Sequence, residues 1–208
     1  MKLKKLAIMA CAGLAAMALM AGCGGSDSGK AASGDAAAKK TAEAAAPAPT
    51  SKTLVVYYSA SGSTKAVAES IAKDTGADIF ELVPKNQYTS DDLNYNDNNS
   101  RANREMNDAS VRPELAGDKI DLDSYDAIYL GYPIWWGTAP RIVESFLDSY
   151  SCDGKTIYLF CTSGSSGAEK SLKDLQKLYP KINFAAADRF NAKASDTDVS
   201  NWLSRLSN

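Results

Sequence analysis

Between Thr53 and Lys73 the chain passes from a strand pattern through a hydroxyl-rich turn straight into a helix pattern, and few folds accommodate that passage. Leu54 to Tyr58 is an apolar run. Ser59-Ala60-Ser61-Gly62-Ser63-Thr64 follows, small hydroxyl residues around one glycine, and Val67 and Ile71 then mark one face of a helix. Such a turn aims backbone N–H groups and hydroxyls at one point above the helix N-terminus. Unpaired amides and the helix dipole both favour an anion there, a phosphate in particular. The stretch has neither the Gly-Lys-Ser/Thr of a Walker loop nor a G-x-G-x-x-G dinucleotide turn. An ordinary polar βα turn is the competing reading of the same residues.

The alternation continues downstream. Asp78–Val83 reads as a second strand, stopped by Pro84; a long polar stretch, Lys85 to Gly117, follows with one short helix around Ser100–Asn107. Tyr125–Gly131 is a buried third strand. Pro140 opens a helix whose Ile142, Val143, Phe146 and Leu147 form a stripe. Thr156–Cys161 is the unbroken apolar run of a central parallel strand covered on both faces. Ser166-x-x-Glu169 reads as a capping box ahead of Leu172, Leu175 and Leu178. Ile182–Phe184 is a short fifth strand, and Ser195 and Asp196 cap a last helix carrying Val199, Trp202, Leu203 and Leu206. The predicted class is α/β, a five-stranded parallel sheet with helices on both faces; the turn after the first strand resembles the flavodoxin phosphate loop, and that resemblance implies the order 2-1-3-4-5. Ligands of such sheets bind outside the carboxyl ends of the strands, at the switch point between strands 1 and 3.

Two further loops fall on that edge. After the third strand comes Gly131-Tyr132-Pro133-Ile134-Trp135-Trp136-Gly137-Thr138-Ala139-Pro140, with adjacent tryptophans at the strand end where a ligand is expected; large aromatics normally belong to elements with a buried face, and a flat ligand explains them here. Neighbouring side chains point different ways, so one ring is expected to stack on a ligand and the other to pack underneath. Gly137 lets the backbone approach closely. After the fourth strand comes Thr162-Ser163-Gly164-Ser165-Ser166-Gly167, polar and glycine-rich. Plain packing aromatics and a plain connector are the competing readings.

The chain contains no histidine, which removes Ser-His-Asp and Cys-His nucleophile systems and histidine-ligated metals. Hard chemistry then has to come from a bound cofactor. Of four cysteines, only Cys152 and Cys161 lie in the region of strands and helices, at opposite ends of one strand and so roughly 20 Å apart, beyond disulfide reach. The full chain carries 23 basic and 25 acidic residues, a balance that argues against nucleic acid as a partner. Residues 1–22 read as a signal peptide: Lys2, Lys4 and Lys5 precede the apolar stretch Leu6–Met20, which is too short to span a membrane. Leu19-Met20-Ala21-Gly22-Cys23 looks like the lipobox of bacterial lipoproteins, with Cys23 the lipidated residue; an ordinary signal peptide with a chance cysteine is the alternative. Residues 23–51, rich in Gly, Ser, Ala and Pro without apolar periodicity, read as a lipid-anchored flexible tether, leaving 52–208 as one domain. The expected location is the outer face of the cytoplasmic membrane, with the membrane a partner only through the anchor.

Taken together, YYSASGSTKAVAESIA, GYPIWWGTAPRIVESFL and CTSGSSG resemble the three FMN-binding segments of the flavodoxin family, and more closely its bacterial branch with a Trp-Trp loop. The stretch from Tyr88 through Arg101, Glu105 and Arg112-Pro113-Glu114 resembles that branch too. The resemblance implies a flavodoxin-like fold with FMN as cofactor. It implies that Ser59, Ser61, Gly62, Ser63 and Thr64 cradle the phosphate, that Pro133, Ile134, Trp135, Trp136 and Gly137 frame the isoalloxazine, and that Thr162, Ser163, Gly164 and Gly167 close the far side. Flavodoxins often carry a second aromatic on the loop after strand 4, and here that loop is Ser and Gly apart from its leading Thr162. One flavin face is then open, or covered by Tyr88 or Tyr95. The implied role is electron transfer to a redox partner protein or small acceptor. An NAD(P)H-dependent reductase of quinones or other small molecules and a non-catalytic flavin-binding surface lipoprotein are the alternatives.

Overall fold

A computed structural model describes residues 52–206. The signal peptide, Cys23 and the tether lie outside the described residues. The elements alternate as β1 (Thr53–Tyr57), α1 (Ser63–Thr75), β2 (Asp78–Glu81), α2 (Arg101–Asn107), β3 (Ala127–Pro133), α3 (Arg141–Ser149), β4 (Thr156–Thr162), α4 (Glu169–Leu178), β5 (Asn183–Phe190) and α5 (Asp196–Leu206). The five strands form one parallel sheet, as the alternation predicts, in the order β2-β1-β3-β4-β5 that the resemblance implies.

Because strand side chains alternate between faces, each central strand feeds two cores. Leu54, Val56, Ile128, Leu130, Ile157 and Leu159 pack with Ala102 and Met106 of α2, Ile142, Val143 and Phe146 of α3, and Leu175 of α4. On the opposite face Val55, Tyr57 and Phe160 pack with Val67, Ala68 and Ile71 of α1 and with Val199 and Trp202 of α5. Gly131 is required by this second core. It pairs with Phe160 across β3 and β4, and a Cβ on it would stand 2.0 Å from the Phe160 ring.

Three local expectations are corrected. The fifth strand runs well past Phe184, to Phe190, with an irregularity opposite Ile157/Tyr158. Its polar end is held by neighbours: Arg205 Nη2 donates to Asp188 Oδ2 at 2.6 Å and Arg189 Nη1 to the Ser163 carbonyl at 3.1 Å. The second strand is shorter than predicted, ending at Glu81, although the Leu82 amide still donates to the Tyr57 carbonyl at 2.7 Å. The Ser166/Glu169 capping box is not made: Ala168 is the N-cap of α4, without a side-chain cap. Ser163 takes that part of the turn instead, its Oγ accepting from the amides of Ser165 and Ser166 at 3.3 and 2.9 Å. At α5 the cap is reciprocal, Ser195 and Asp198 each bonding the other's backbone amide.

The polar stretch before β3 is folded back on the β2 edge. Lys85 N donates to Glu114 O at 2.7 Å, and Ala116 N to Val83 O at 2.8 Å. Ser100 caps α2, its Oγ accepting from Asn103 N at 3.3 Å, and the buried Asn103 amide bonds the carbonyls of Tyr95 and Asp97. That fixes Tyr95 beside the carboxyl edge of the sheet.

Candidate functional site

At the end of β1 the turn is drawn closed by Gly62 N donating to Ser59 Oγ at 3.1 Å. Gly62 adopts φ 89, the left-handed region where glycine meets no Cβ penalty, and serves as N-cap of α1 without a side-chain cap. Ala66 N bonds the Gly62 carbonyl at 3.0 Å. The amides of Ser63, Thr64 and Lys65 precede that first helical bond and so lack an intrahelical acceptor. No acidic residue stands in the first turn of α1. Ser61 and Gly62 are exposed, Ser59 and Ser63 half-buried. Free amides, accessible hydroxyls and the positive end of a helix dipole make this a cradle for an anion. Thr64 is placed differently. It is 1 % exposed, and its hydroxyl shares a hydrogen bond of 2.8 Å with the hydroxyl of Thr162. The two threonines therefore clamp the loops after β1 and β4 from beneath.

The same edge is stitched across β3. Tyr58 N donates to Gly131 O at 2.9 Å, and Ile134 N to Thr162 O at 3.0 Å, so the amide of half-buried Ile134 is already used. Beyond Pro133 the chain makes a tight turn in which Trp135 and Thr138 exchange both backbone hydrogen bonds at 2.9 Å. Trp136 and Gly137 occupy its two central positions at φ 48 and φ 80. Positive φ at both defines a type I′ turn, which asks for Asn-Gly rather than tryptophan. Trp136 is the one described non-glycine residue with positive φ. The Thr138 hydroxyl bonds Asp174, which anchors the turn to α4. Burial acts to raise the Asp174 carboxyl, but hydrogen bonds from Lys170 and Thr138 and the charges of Lys170 and Arg141 outweigh it and hold the group below the usual carboxylate range.

The adjacent tryptophans are separated by this turn. Trp135 is 2 % exposed, edge-on to Tyr58 at 5.7 Å and to Tyr88 at 5.3 Å. Trp136 is 39 % exposed, its ring 4.7 Å from Tyr95, which is 56 % exposed, at an interplanar angle of 34°. One ring is packing and the other is presented. Tyr88 belongs to the packing: its hydroxyl donates to Glu105, and the Arg101 guanidinium stands 4.0 Å over its ring while Arg101 Nε holds Glu105 Oε1 at 2.6 Å. Burial, then the hydrogen bond and charge of Glu105, keep the Tyr88 phenol protonated well above the usual range. Sequence reasoning left this support out. The i, i+4 spacing of Arg101 and Glu105 on a short helix was the available signal.

Ser163, Gly164 and Gly167 lie on the third loop. Gly164 is exposed, while the Ser163 amide is taken by Phe190 O at 3.1 Å. Below the site the buried Glu144 carboxylate receives Arg141 Nη1 at 2.6 Å on one oxygen and stands 2.7 Å from Arg112 Nη1 on the other. Arg141 also donates to the carbonyls of Glu105 and Met106, joining α2 to the start of α3. Cys152 and Cys161 are free and buried, and burial pushes the Cys161 thiol up to about 12. Among the described residues no cluster of His, Cys, Asp and Glu is arranged to hold a metal.

A family model described as Flavodoxin matches residues 52–206. A search of curated proteins finds no match. Among solved structures, a candidate flavoprotein of Bacteroides uniformis is 41 % identical, over 74 % of this chain and 98 % of its own, with a TM-score of 0.72. A candidate flavoprotein of Bacteroides eggerthii is 37 % identical, over 76 % of this chain and 99 % of its own, also at 0.72. A flavoprotein of Lactobacillus acidophilus, solved in complex with FMN, is 26 % identical, over 74 % of this chain and 99 % of its own, at 0.58. With the sheet order, the anion cradle and the model match over the whole described region, the chain belongs to the flavodoxin family.

Proposed function

We propose that this protein is an exported, lipid-anchored flavodoxin that holds FMN and acts in electron transfer. The observation that carries the reading is the pairing of an anion cradle at the start of α1 with a solvent-facing indole on the neighbouring turn, the two joined through Thr64–Thr162 and Ile134–Thr162. The donor set fits FMN. The cradle has free amides, hydroxyls and no acid, which suits a phosphate monoester. Trp136 offers a flat surface to a flat ring. The Lactobacillus acidophilus relative, solved with FMN, supports the same cofactor here. FMN supplies the redox chemistry when bound. The chain's part is to hold the phosphate with the amides of Ser63 to Lys65 and the hydroxyls of Ser59, Ser61 and Ser63, and to press Trp136 against the ring. Export and anchoring rest on the Lys2–Cys23 segment.

A reductase of small acceptors is the second reading, favoured by one observation. The loop Ser163–Gly167 carries no aromatic residue, so nothing on it shields a flavin face from a hydride donor or acceptor. An anaerobic reductive titration of the FMN-loaded protein, followed by visible absorbance, separates the readings. Reduction in two resolved one-electron stages is the expected result. Reduction in a single two-electron stage, with turnover on NAD(P)H and quinones, favours the reductase. Tight FMN retention without reversible reduction leaves a binding protein. Absence of FMN binding overturns the cofactor assignment.

A further inference from the structure

A cavity of about 350 Å³ opens beside the Trp136 turn, between the end of α2 and the exposed side of α4. It does not include the anion cradle. Trp136, Met106 and Leu178 give it apolar walls, and Leu178 is 50 % exposed. Its size is in the range of small-molecule sites. Its charges do not cancel. Glu144 is taken up by Arg141 and Arg112 at 2.6 and 2.7 Å, and Asp174 by Lys170 at 2.6 Å. Lys177 lines the same cavity, and no ion pair involves it among the described residues. Lys173 lies on α4 between the two lysines, and Lys181 follows the helix. This is a local basic stripe on a chain whose acidic residues outnumber its basic ones.

An aromatic wall next to a net positive charge selects for a planar ring that carries anionic substituents: the indole stacks on the ring, and Lys177, with Lys170 on the same helix, meets its charges. We propose that this cavity binds a small planar aromatic anion, such as a sulfonated or carboxylated quinone, in contact with Trp136 but outside the cofactor cradle. A molecule seated there lies against the same indole that the proposed cofactor stacks on, so the site suits an electron acceptor or donor of that class. The binding itself does not depend on the cofactor reading.

Calorimetric titration of the protein with anthraquinone-2,6-disulfonate, with and without saturating FMN, tests this. The expected result is binding in both states that weakens as salt is raised. Lys170→Glu/Lys177→Glu should weaken it roughly tenfold at low salt, since each reversal replaces an attraction worth a fraction of a kcal/mol with a repulsion of similar size. Both lysines are on the helix surface; Lys170→Glu also breaks the pair with Asp174, so a wild-type circular-dichroism spectrum and a single cooperative unfolding transition are the check that the fold is kept. Displacement of the probe by FMN overturns the proposal, because the probe would then be occupying the cofactor site. So does unchanged affinity in the double variant, equal binding of neutral menadione, or no binding at all. Loss of FMN binding with retention of the probe would remove the cofactor reading and leave this one standing.

Discussion

Replacing Trp136 by asparagine and Trp135 by alanine should give opposite results, although the two residues are adjacent. Trp136 sits at φ 48 in the first central position of a type I′ turn with Gly137 following. A left-handed conformation costs an ordinary residue about 1–2 kcal/mol, and asparagine visits it readily. Trp136→Asn therefore creates the Asn-Gly pair that such turns prefer. The loss is the contact with Tyr95 at 4.7 Å, worth about 0.5–1.5 kcal/mol as an aromatic pair. The two nearly cancel, so unfolding free energy in urea should stay within about 1 kcal/mol of the parent. FMN affinity should fall, since stacking on an aromatic side chain is worth about 1–3 kcal/mol per base in other systems, or about 5- to 150-fold. Trp135→Ala removes a ring that is 2 % exposed and packs edge-on against Tyr58 and Tyr88. It should cost about 3–5 kcal/mol of stability. Urea unfolding of the cofactor-free protein and a fluorescence titration with FMN give both quantities for each variant. Wild-type FMN affinity in Trp136→Asn would falsify the stacking role. A loss of more than about 2 kcal/mol of stability in that variant would refute the turn argument, which predicts near-cancellation.

Gly131→Ala places a Cβ 2.0 Å from the Phe160 ring and should destabilise by about 1–3 kcal/mol, with partial recovery in Gly131→Ala/Phe160→Leu; a thermal melt of the two variants decides it. Ser61→Ala/Ser63→Ala should weaken FMN more than riboflavin, and equal losses for the two ligands in parallel titrations would remove the phosphate cradle. Thr64→Val leaves the buried Thr162 hydroxyl without its 2.8 Å partner and should cost about 1–3 kcal/mol in urea unfolding. Stability should also fall at alkaline pH. Burial raises the Cys152 and Cys161 thiols from 9.0 to about 11 and about 12. Each folded-state value lies above the unfolded one, so this contribution is intact below pH 9 and drains away as pH rises toward the folded values. For Cys161 the loss by pH 11 is roughly 3 kcal/mol, and a Cys161→Ala variant should show a flatter stability profile between pH 9 and pH 11.

The fold was legible because period and length agree along the chain. Ile128, Leu130, Ile157 and Leu159 fall in short unbroken apolar runs of strand length, as a doubly covered strand requires, and the sheet order comes from the resemblance of the first loop to a known phosphate turn. What escaped was set by partners far away in sequence. Ala186 to Arg189 has low strand propensity and two charges, yet it pairs with β4 because Arg205 and the Ser163 carbonyl receive those charges. Ser166 and Glu169 have capping-box spacing, yet Ser163 binds the Ser165 and Ser166 amides and leaves Ala168 as the N-cap of a helix that starts at Glu169. Thr64 and Thr162 were each legible as loop hydroxyls, and what they do to each other was not, since only folding brings them together. The same holds for the two tryptophans. Sequence alternation says that one of them packs; which one is decided by the sign of φ at Trp136, by Tyr58 and Tyr88 closing on Trp135, and by Arg101 and Glu105 fixing Tyr88 in place. A tryptophan at positive φ, 39 % exposed beside an exposed Tyr95 and next to a fully packed Trp135, stands where an Asn-Gly turn would serve a plain connector equally well. That choice of residue is the physical argument for a ligand at this edge, and it stands independently of the motifs.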